Sequence, residues 1–466
     1  MRTIFINREE ELKTLEDAYA SGKPELVIIY GRRRIGKTYM TTLFASGKKA
    51  IYLIANYDER EAALKDLTRQ LLRQASLPYK PHIESFTDLY TLLPQTQARI
   101  TIIDEFQRLH RTGGVTELQA AWDHILSKTS VMLILLGSSV GMMEKIGLSR
   151  ESPLYGRATR IIKLKGLGYR SARAFTEKYS EEDKIRTYAV FGDTPGYLAL
   201  LDDTKTLTQN IENLVLKPGA PLRDEPTILL SMELREPSRY MQILEAIAAG
   251  ATKLGEIAGK ASIKTSEAGK YLRVLEKHLD LIERRYPLLQ EGKRGKARYY
   301  IKDNFFKFWF RHILPNTGLL ELGLHRQVLE NIEKTIDEYT SHIFEQVALQ
   351  HLALLAKNRE ITFTNIGKWW HKDVEIDLVA IDKKTRTAYF IEAKWSKNPL
   401  TRKTLYRLIS KSEKFPWRKN DRKNIYILYS RKGYTFTTDD ENVKLYTLKH
   451  IEKTFNQHKP QTKPPP

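Results

Sequence analysis

Over its first 165 residues the chain alternates short apolar runs with helical stretches. The runs at 26–30, 50–54, 100–103, 131–136 and 161–164 are of strand length and apolar at nearly every position. A strand without a polar face is covered on both sides, so the alternation predicts a parallel sheet clothed by helices, an α/β core. From 166 to 235 the pattern is mainly helical. It is broken by turn residues from Gly192 to Gly196 and by a connection rich in proline and glycine at Pro218, Gly219, Pro221 and Pro226. Residues 238–249 carry one helical stripe of Tyr240, Ile243, Leu244 and Ile247; helices at 254–259 and 266–278 follow, then a basic hairpin pattern over 281–300. Residues 318–457 form a further α/β unit, with strand patterns at 374–381 and 388–395 around a turn at 382–386. The expected organisation is a core at 1–165, a helical lid at 166–235, a three-helix-plus-hairpin domain at 236–312 and an α/β domain at 318–457. A disordered tail at 458–466 carries Pro460, Pro464, Pro465 and Pro466.

Composition narrows the function. Apolar residues make up 41% of the 466, enough for real cores, while no apolar run approaches the roughly 18 residues of a membrane span. With no signal-peptide pattern at Met1 to Phe5, the expectation is a cytoplasmic protein without membrane contact. The absence of cysteine excludes disulfides, thiolate zinc sites and cysteine nucleophiles. A net charge of +21, from 77 Lys and Arg against 56 acids, points to a polyanionic partner, and DNA fits. A generic basic surface, or the charge-rich habit of a thermophile, would give the same number.

The first chemistry lies at the end of the 26–30 run. Gly31, Arg32, Arg33, Arg34, Ile35, Gly36, Lys37 and Thr38 form the spacing of a P-loop, between a strand pattern and a helix pattern over 39–45. The glycines let the backbone wrap a phosphate of ATP, Lys37 reaches the β- and γ-phosphates, and the Thr38 hydroxyl binds Mg²⁺. Asp104 and Glu105 close the 100–103 strand. They suit an Mg²⁺-holding carboxylate followed by one that polarises the attacking water.

These residues carry a resemblance. Phe5-Ile6-Asn7-Arg8-Glu9-Glu10-Glu11-Leu12, the P-loop, Ile102-Ile103-Asp104-Glu105 and Leu135-Leu136-Gly137-Ser138-Ser139 resemble the archaeal ATPase family, in the STAND-like branch of the AAA+ superfamily. The resemblance spans about residues 1–235. It implies that residues 5–8 lie near the adenine and that Ser138 is a polar sensor of the γ-phosphate; each would otherwise be a cap or a strand-end residue. Ser152-Pro153-Leu154-Tyr155-Gly156-Arg157 resembles the family's pattern too, with Arg157 either an arginine finger or a surface arginine.

Three helices and a basic hairpin make a winged helix. Its third helix would present Lys264, Lys270 and Arg273 to a major groove, while Arg284, Arg285, Lys293, Arg294, Lys296 and Arg298 of the wing grip phosphate. The alternative is a winged helix used for protein contacts. In the last domain Asp377, Glu392 and Lys394 come from adjacent strands, and Glu392 and Lys394 share a face. Two carboxylates for Mg²⁺ and a lysine for the transition-state charge are an apparatus for phosphodiester hydrolysis. The pattern resembles the PD-(D/E)xK nuclease superfamily, and residues 367–377 through Glu392-Ala393-Lys394-Trp395 look like the domain fused behind archaeal ATPases. That resemblance implies a restriction-endonuclease-like α/β fold, with Glu345, on a helix starting near Asp337, as a further acidic metal residue. Ile376 stands where the superfamily has proline. Residues 402–432 hold eleven Lys or Arg, interleaved with Tyr406, Phe415 and Trp417, as expected for a phosphate-binding face with stacking partners. The expected protein is an ATP-driven, DNA-binding ATPase with a metal-dependent nuclease domain, open to homo-oligomerisation. The rival is a STAND-like switch whose last domain binds without cutting.

Overall fold

The computed structural model describes residues 5–79, 81–293 and 295–463, and these divide into two compact units. One comprises residues 5–166, 277–280 and 461–463, the other 167–276 and 281–460. Apart from 166 and 277–280, the residues of the predicted lid, three-helix region and last α/β domain fall together in the second of these units.

The first unit is built on β1 (Phe5–Ile6), β2 (Glu25–Tyr30), β3 (Ala50–Ile54), β4 (Ile100–Asp104), β5 (Met132–Gly137) and β6 (Arg160–Lys163). The last five form a wholly parallel sheet in the order β3-β4-β5-β2-β6. Every residue of β2, β4 and β5 is buried, as unbroken apolar runs require when helices cover both faces. In such a sheet functional loops gather beyond the carboxyl ends of the strands, where β2 runs into Gly31 and β4 ends on Asp104. The expected disordered tail departs from prediction at its start. Thr462–Lys463 pair antiparallel with β1, Asn7 N donates to Gln461 O (3.0 Å), and Gln461 N donates to the Glu9 carboxylate (2.8 Å). Proline lacks only its own N–H, so the residues after Pro460 remain able to pair; Pro464, Pro465 and Pro466 lie outside the described residues.

The second unit contains the helical segment and both downstream regions. The helix of residues Glu181–Phe191 belongs to the expected lid. Helices Pro237–Ala248, Leu254–Lys260 and Thr265–Arg273 precede the antiparallel hairpin β7 (Ile282–Arg285) and β8 (Arg298–Ile301). Arg294, expected on that hairpin, lies outside the described residues. One long helix, His325–Lys357, replaces the helix expected near Asp337. Val328, Ile332, Tyr339, Ile343 and Val347 bury one stripe along it, so its first turns too are anchored by packing. Against it lies a mixed sheet of β9 (Asn365–His371), β10 (Val374–Asp382), β11 (Thr387–Lys394), β12 (Lys423–Ser430) and β13 (Val443–Thr447), in the order β13-β12-β11-β10-β9. The expected basic face is partly structural. Phe415 is wholly buried against Trp369 and Phe390, and Arg422 caps the carbonyls of Ser412, Phe415 and Trp417, so neither is free to meet a base. Tyr406 does stay exposed.

Candidate functional site

The P-loop geometry follows from its glycines. A Cβ on Gly31 would lie 2.5 Å from the Leu164 carbonyl oxygen, so only glycine lets β2 turn away there. Gly36 holds φ +93° as the cap of the helix Lys37–Ala45. The Lys37 ammonium donates to the carbonyls of Gly31 (2.8 Å) and Arg32 (3.1 Å), bridging its own loop. Thr38 donates its hydroxyl to Asp104 (2.8 Å) across adjoining elements. A hydroxyl and a carboxylate converging beside the N-terminus of a helix fit Mg²⁺ and the phosphates of ATP.

Glu105 sits one residue on, at φ +53°, a left-handed turn that a non-glycine residue adopts only where its surroundings impose it. Ser138 donates to its carboxylate (3.0 Å), and Gln107 donates both to Ser138 (3.2 Å) and to Glu105. Ser138 is therefore bonded to the water-polarising candidate itself. Two residues of this network carry no motif and escaped the sequence analysis. Gln107 is one; the other is Tyr52, whose hydroxyl donates to Asp104. Burial, and then that bond, push the Tyr52 hydroxyl above its ordinary range and keep it a donor. Register could have found Tyr52, since β3 and β4 pair with Ile54 beside Asp104.

The other expected residues of this unit are placed differently. Phe5 stacks on Tyr39 with centroids 5.6 Å apart, and buried Arg8 donates to the carbonyls of Ile35 (3.4 Å) and Lys165 (2.5 Å), fastening the P-loop from behind. Arg157 forms a bidentate pair with Asp123 (2.6 and 2.7 Å) and bonds the carbonyls of Pro153 and Tyr155, so its fork is already occupied.

In the second unit Asp377, Glu392, Lys394 and Glu345 share one cavity of about 660 Å³. The pairing of Leu378 with Ile391 continues one step to set Asp377 beside Glu392. Lys394 bridges them, 2.7 Å from Glu392 and 3.4 Å from Asp377. Lys411, unassigned from sequence, donates to Glu392 (2.8 Å), and Lys368, also unassigned, pairs with Glu345. Burial works against charge on Lys394, yet the two carboxylates hold its pKa above the ordinary lysine value. Burial pushes the Glu345 carboxyl up against the pull of Lys368. Each expected metal carboxylate thus rests on lysine, and among the described residues no three acidic or histidine groups converge on one point. The set as it stands fits a metal poorly: a divalent cation needs the ammonium groups moved aside.

In the three-helix region Lys264, Lys270 and Arg273, expected on a groove-reading helix, are exposed. The hairpin is less free. Arg284 pairs with Glu276 (3.6 Å), Arg285 with Glu283, and Arg298 with Glu375 (2.7 Å), leaving Lys293 and Lys296 exposed at its tip.

Strand, loop, helix and paired acids define the first unit as a P-loop nucleotide site, and comparison with known proteins agrees. Residues 5–201 match an ATPase domain predominantly from Archaea, and residues 309–408 match a domain of archaeal and bacterial proteins of unknown function. A Methanocaldococcus jannaschii protein, uncharacterized protein MJECL04, is 36% identical over 397 residues, covering 84% of this chain and 88% of its own length. The chain belongs to that family, and it carries an archaeal ATPase domain followed by the domain of unknown function. Uncharacterized ATP-binding protein MJ0423 of the same organism is 48% identical over 46 residues, 10% of this chain and 78% of its own. Among solved structures, ORC2 of Aeropyrum pernix in its ADPNP-ADP complexes aligns with a TM-score of 0.45 at 15% identity, over 69% of this chain and 96% of its own. Among the described residues no helix is long and apolar enough to cross a membrane.

Proposed function

We propose that the chain hydrolyses ATP with Glu105 as the water-polarising carboxylate, binds DNA, and carries a nuclease-like second unit whose behaviour follows the nucleotide state. In the first unit Lys37 exchanges two loop carbonyls for phosphate oxygens, an exchange of neutral acceptors for charged ones that favours binding. Asp104 and Thr38 are the residues that would hold Mg²⁺, which when bound neutralises phosphate charge. Ser138 and Gln107 fix Glu105 in one orientation, so the carboxylate need not reorganise as the water attacks.

The nuclease reading is carried by one observation: Asp377, Glu392 and Lys394, picked from sequence for hydrolytic chemistry, meet within one cavity. The exposed Lys264, Lys270 and Arg273 support a winged helix that brings DNA to this unit. Nicking of plasmid and branched DNA by wild type, beside Asp377→Ala, tests it, with Mg²⁺ or Mn²⁺ and with or without ATP. Loss of nicking in the variant is expected; equal nicking in both overturns it. A second reading, a STAND-like switch that binds without cutting, is favoured by the lysines seated on each carboxylate. Absence of nicking in both proteins, with ATP turnover intact, would establish it.

A further inference from the structure

The cavity is more than a place for two carboxylates. Its roof is the β7–β8 hairpin. Leu288 of the hairpin loop is buried in one core with Trp369 and Ile376, and its N–H donates to the Lys368 carbonyl (2.8 Å). Arg298 pairs with Glu375 and lies over the Trp370 ring at 4.4 Å. Hairpin and sheet are therefore joined by apolar burial, a main-chain bond and an ion pair, and the roof is part of the fold. Its volume, about 660 Å³, is that of a small-molecule site. A duplex is far larger than that volume.

Most cations of the walls sit on the acids already described, and Lys307 does not. Lys307 lines the cavity with its ammonium 5.7 Å from the Tyr339 ring, and among the described residues no carboxylate lies within 4 Å of it. Arg285, paired through one edge of its guanidinium with Glu283 and lying over Tyr300 at 4.8 Å, lines the roof. Burial lowers Lys307 to about 8 against the pull of Glu345, with Lys368, Arg311 and Arg285 adding to the fall. His342 falls to about 4 from burial and then the same crowd of cations, Lys307 first. Cations that depress one another are relieved by an incoming anion.

We infer that this cavity takes an unpaired nucleic-acid strand, a free end or an extruded nucleotide, with Lys307 and Arg285 on its phosphates and Tyr300 beside its bases. Basic walls with an aromatic platform are the physical means of holding single strands without reading sequence. The inference rests on the nucleic-acid reading of this unit but not on cleavage. Duplex would meet the exposed third helix and reach the carboxylates only where its strands have parted.

The test uses the full chain in Ca²⁺, which supports binding without efficient cutting. A fluorescent twelve-nucleotide single strand, the same sequence as a blunt duplex, and dAMP are the probes. Lys307→Met keeps the volume of a buried side chain, and Arg285→Gln, closer to solvent, provides an independent variant. Each should weaken single-strand binding about tenfold, the worth of one charge-assisted hydrogen bond, with duplex affinity changed by less than twofold. Equal loss for both probes, or none for either, overturns the inference. So does dAMP binding as tightly as the oligonucleotide, which would make the cavity a free-nucleotide site. Cutting in Mn²⁺ is scored separately. Binding discrimination without any cutting leaves the inference standing and removes the nuclease, whereas duplex cut internally as fast as single strand does the reverse.

Discussion

The two units hold the same kinds of groups, lysines and paired acids, in opposite arrangements. At the P-loop, Lys37 rests on neutral carbonyls, while Asp104 and Glu105 rest on hydroxyls and an amide. In the cavity, Lys394, Lys411 and Lys368 sit on the acids themselves. A ligand entering the first site takes over hydrogen bonds now made to loop carbonyls and hydroxyls. A metal entering the second must break ion pairs whose carboxylates are buried, which is the costlier exchange. The first site is poised for its ligand, whereas the acids of the second are locked against metal.

Substitutions should sharpen that contrast. Glu105→Gln keeps the shape of the site and removes the carboxylate, so ATP turnover should fall about a hundredfold or more with ATP binding retained in a filter assay. Wild-type turnover would show that another group polarises the water. Lys411→Met should loosen the lock on Glu392. In a Lys37→Ala background, where ATP-site metal is minimised, calorimetry should detect Mn²⁺ binding about tenfold tighter than with Lys411 present. Unchanged affinity would mean that Lys411 does not compete with metal.

Acid should act on the second unit through a different cluster. Glu182 pairs with Arg431 (2.6 Å) and Lys432 (2.9 Å), and Asp337 with Arg186 (2.9 Å) and Arg431 (2.8 Å). Burial raises both carboxyls, but these hydrogen bonds outweigh it and bring each down to about 2. The folded values lie below the unfolded ones, so the stability they contribute is complete above about pH 5 and is lost as pH falls towards 2. The loss should be on the order of 2 kcal/mol per carboxyl, read by urea titration at pH 6 and pH 3, and Arg431→Met should flatten the dependence. Ser138→Ala should have the smallest effect. It leaves Gln107 holding Glu105, so turnover should drop only about threefold to tenfold, with nucleotide affinity unchanged.

Much of the first unit was legible because its signals are local. The apolar runs gave five parallel strands to within a residue at each end, and Gly31 to Thr38 placed the loop between strand and helix. Tyr52 and Gln107 were hidden because nothing in their neighbours marks them; strand register and a turn bring them to Asp104 and Glu105. In the second unit the strand pair carrying Asp377 and Glu392 was legible from alternation and a turn. The partners of the acids were not. Lys368 and Lys411 come from another strand and a helix, and a lysine in a basic stretch looks the same whether it faces solvent or a carboxylate. The charge of residues 402–432 misled for that reason: Arg431 is buried on Asp337 and Glu182, and Arg422 on carbonyls.

The central claim, that ATP chemistry belongs to the poised P-loop alone, is tested most directly by steady-state ATP turnover of wild type, Lys37→Ala and Asp377→Ala prepared side by side. Turnover abolished in Lys37→Ala and within twofold of wild type in Asp377→Ala is the expected result. Turnover that survives Lys37→Ala, or that disappears with Asp377→Ala in a folded protein, would contradict it.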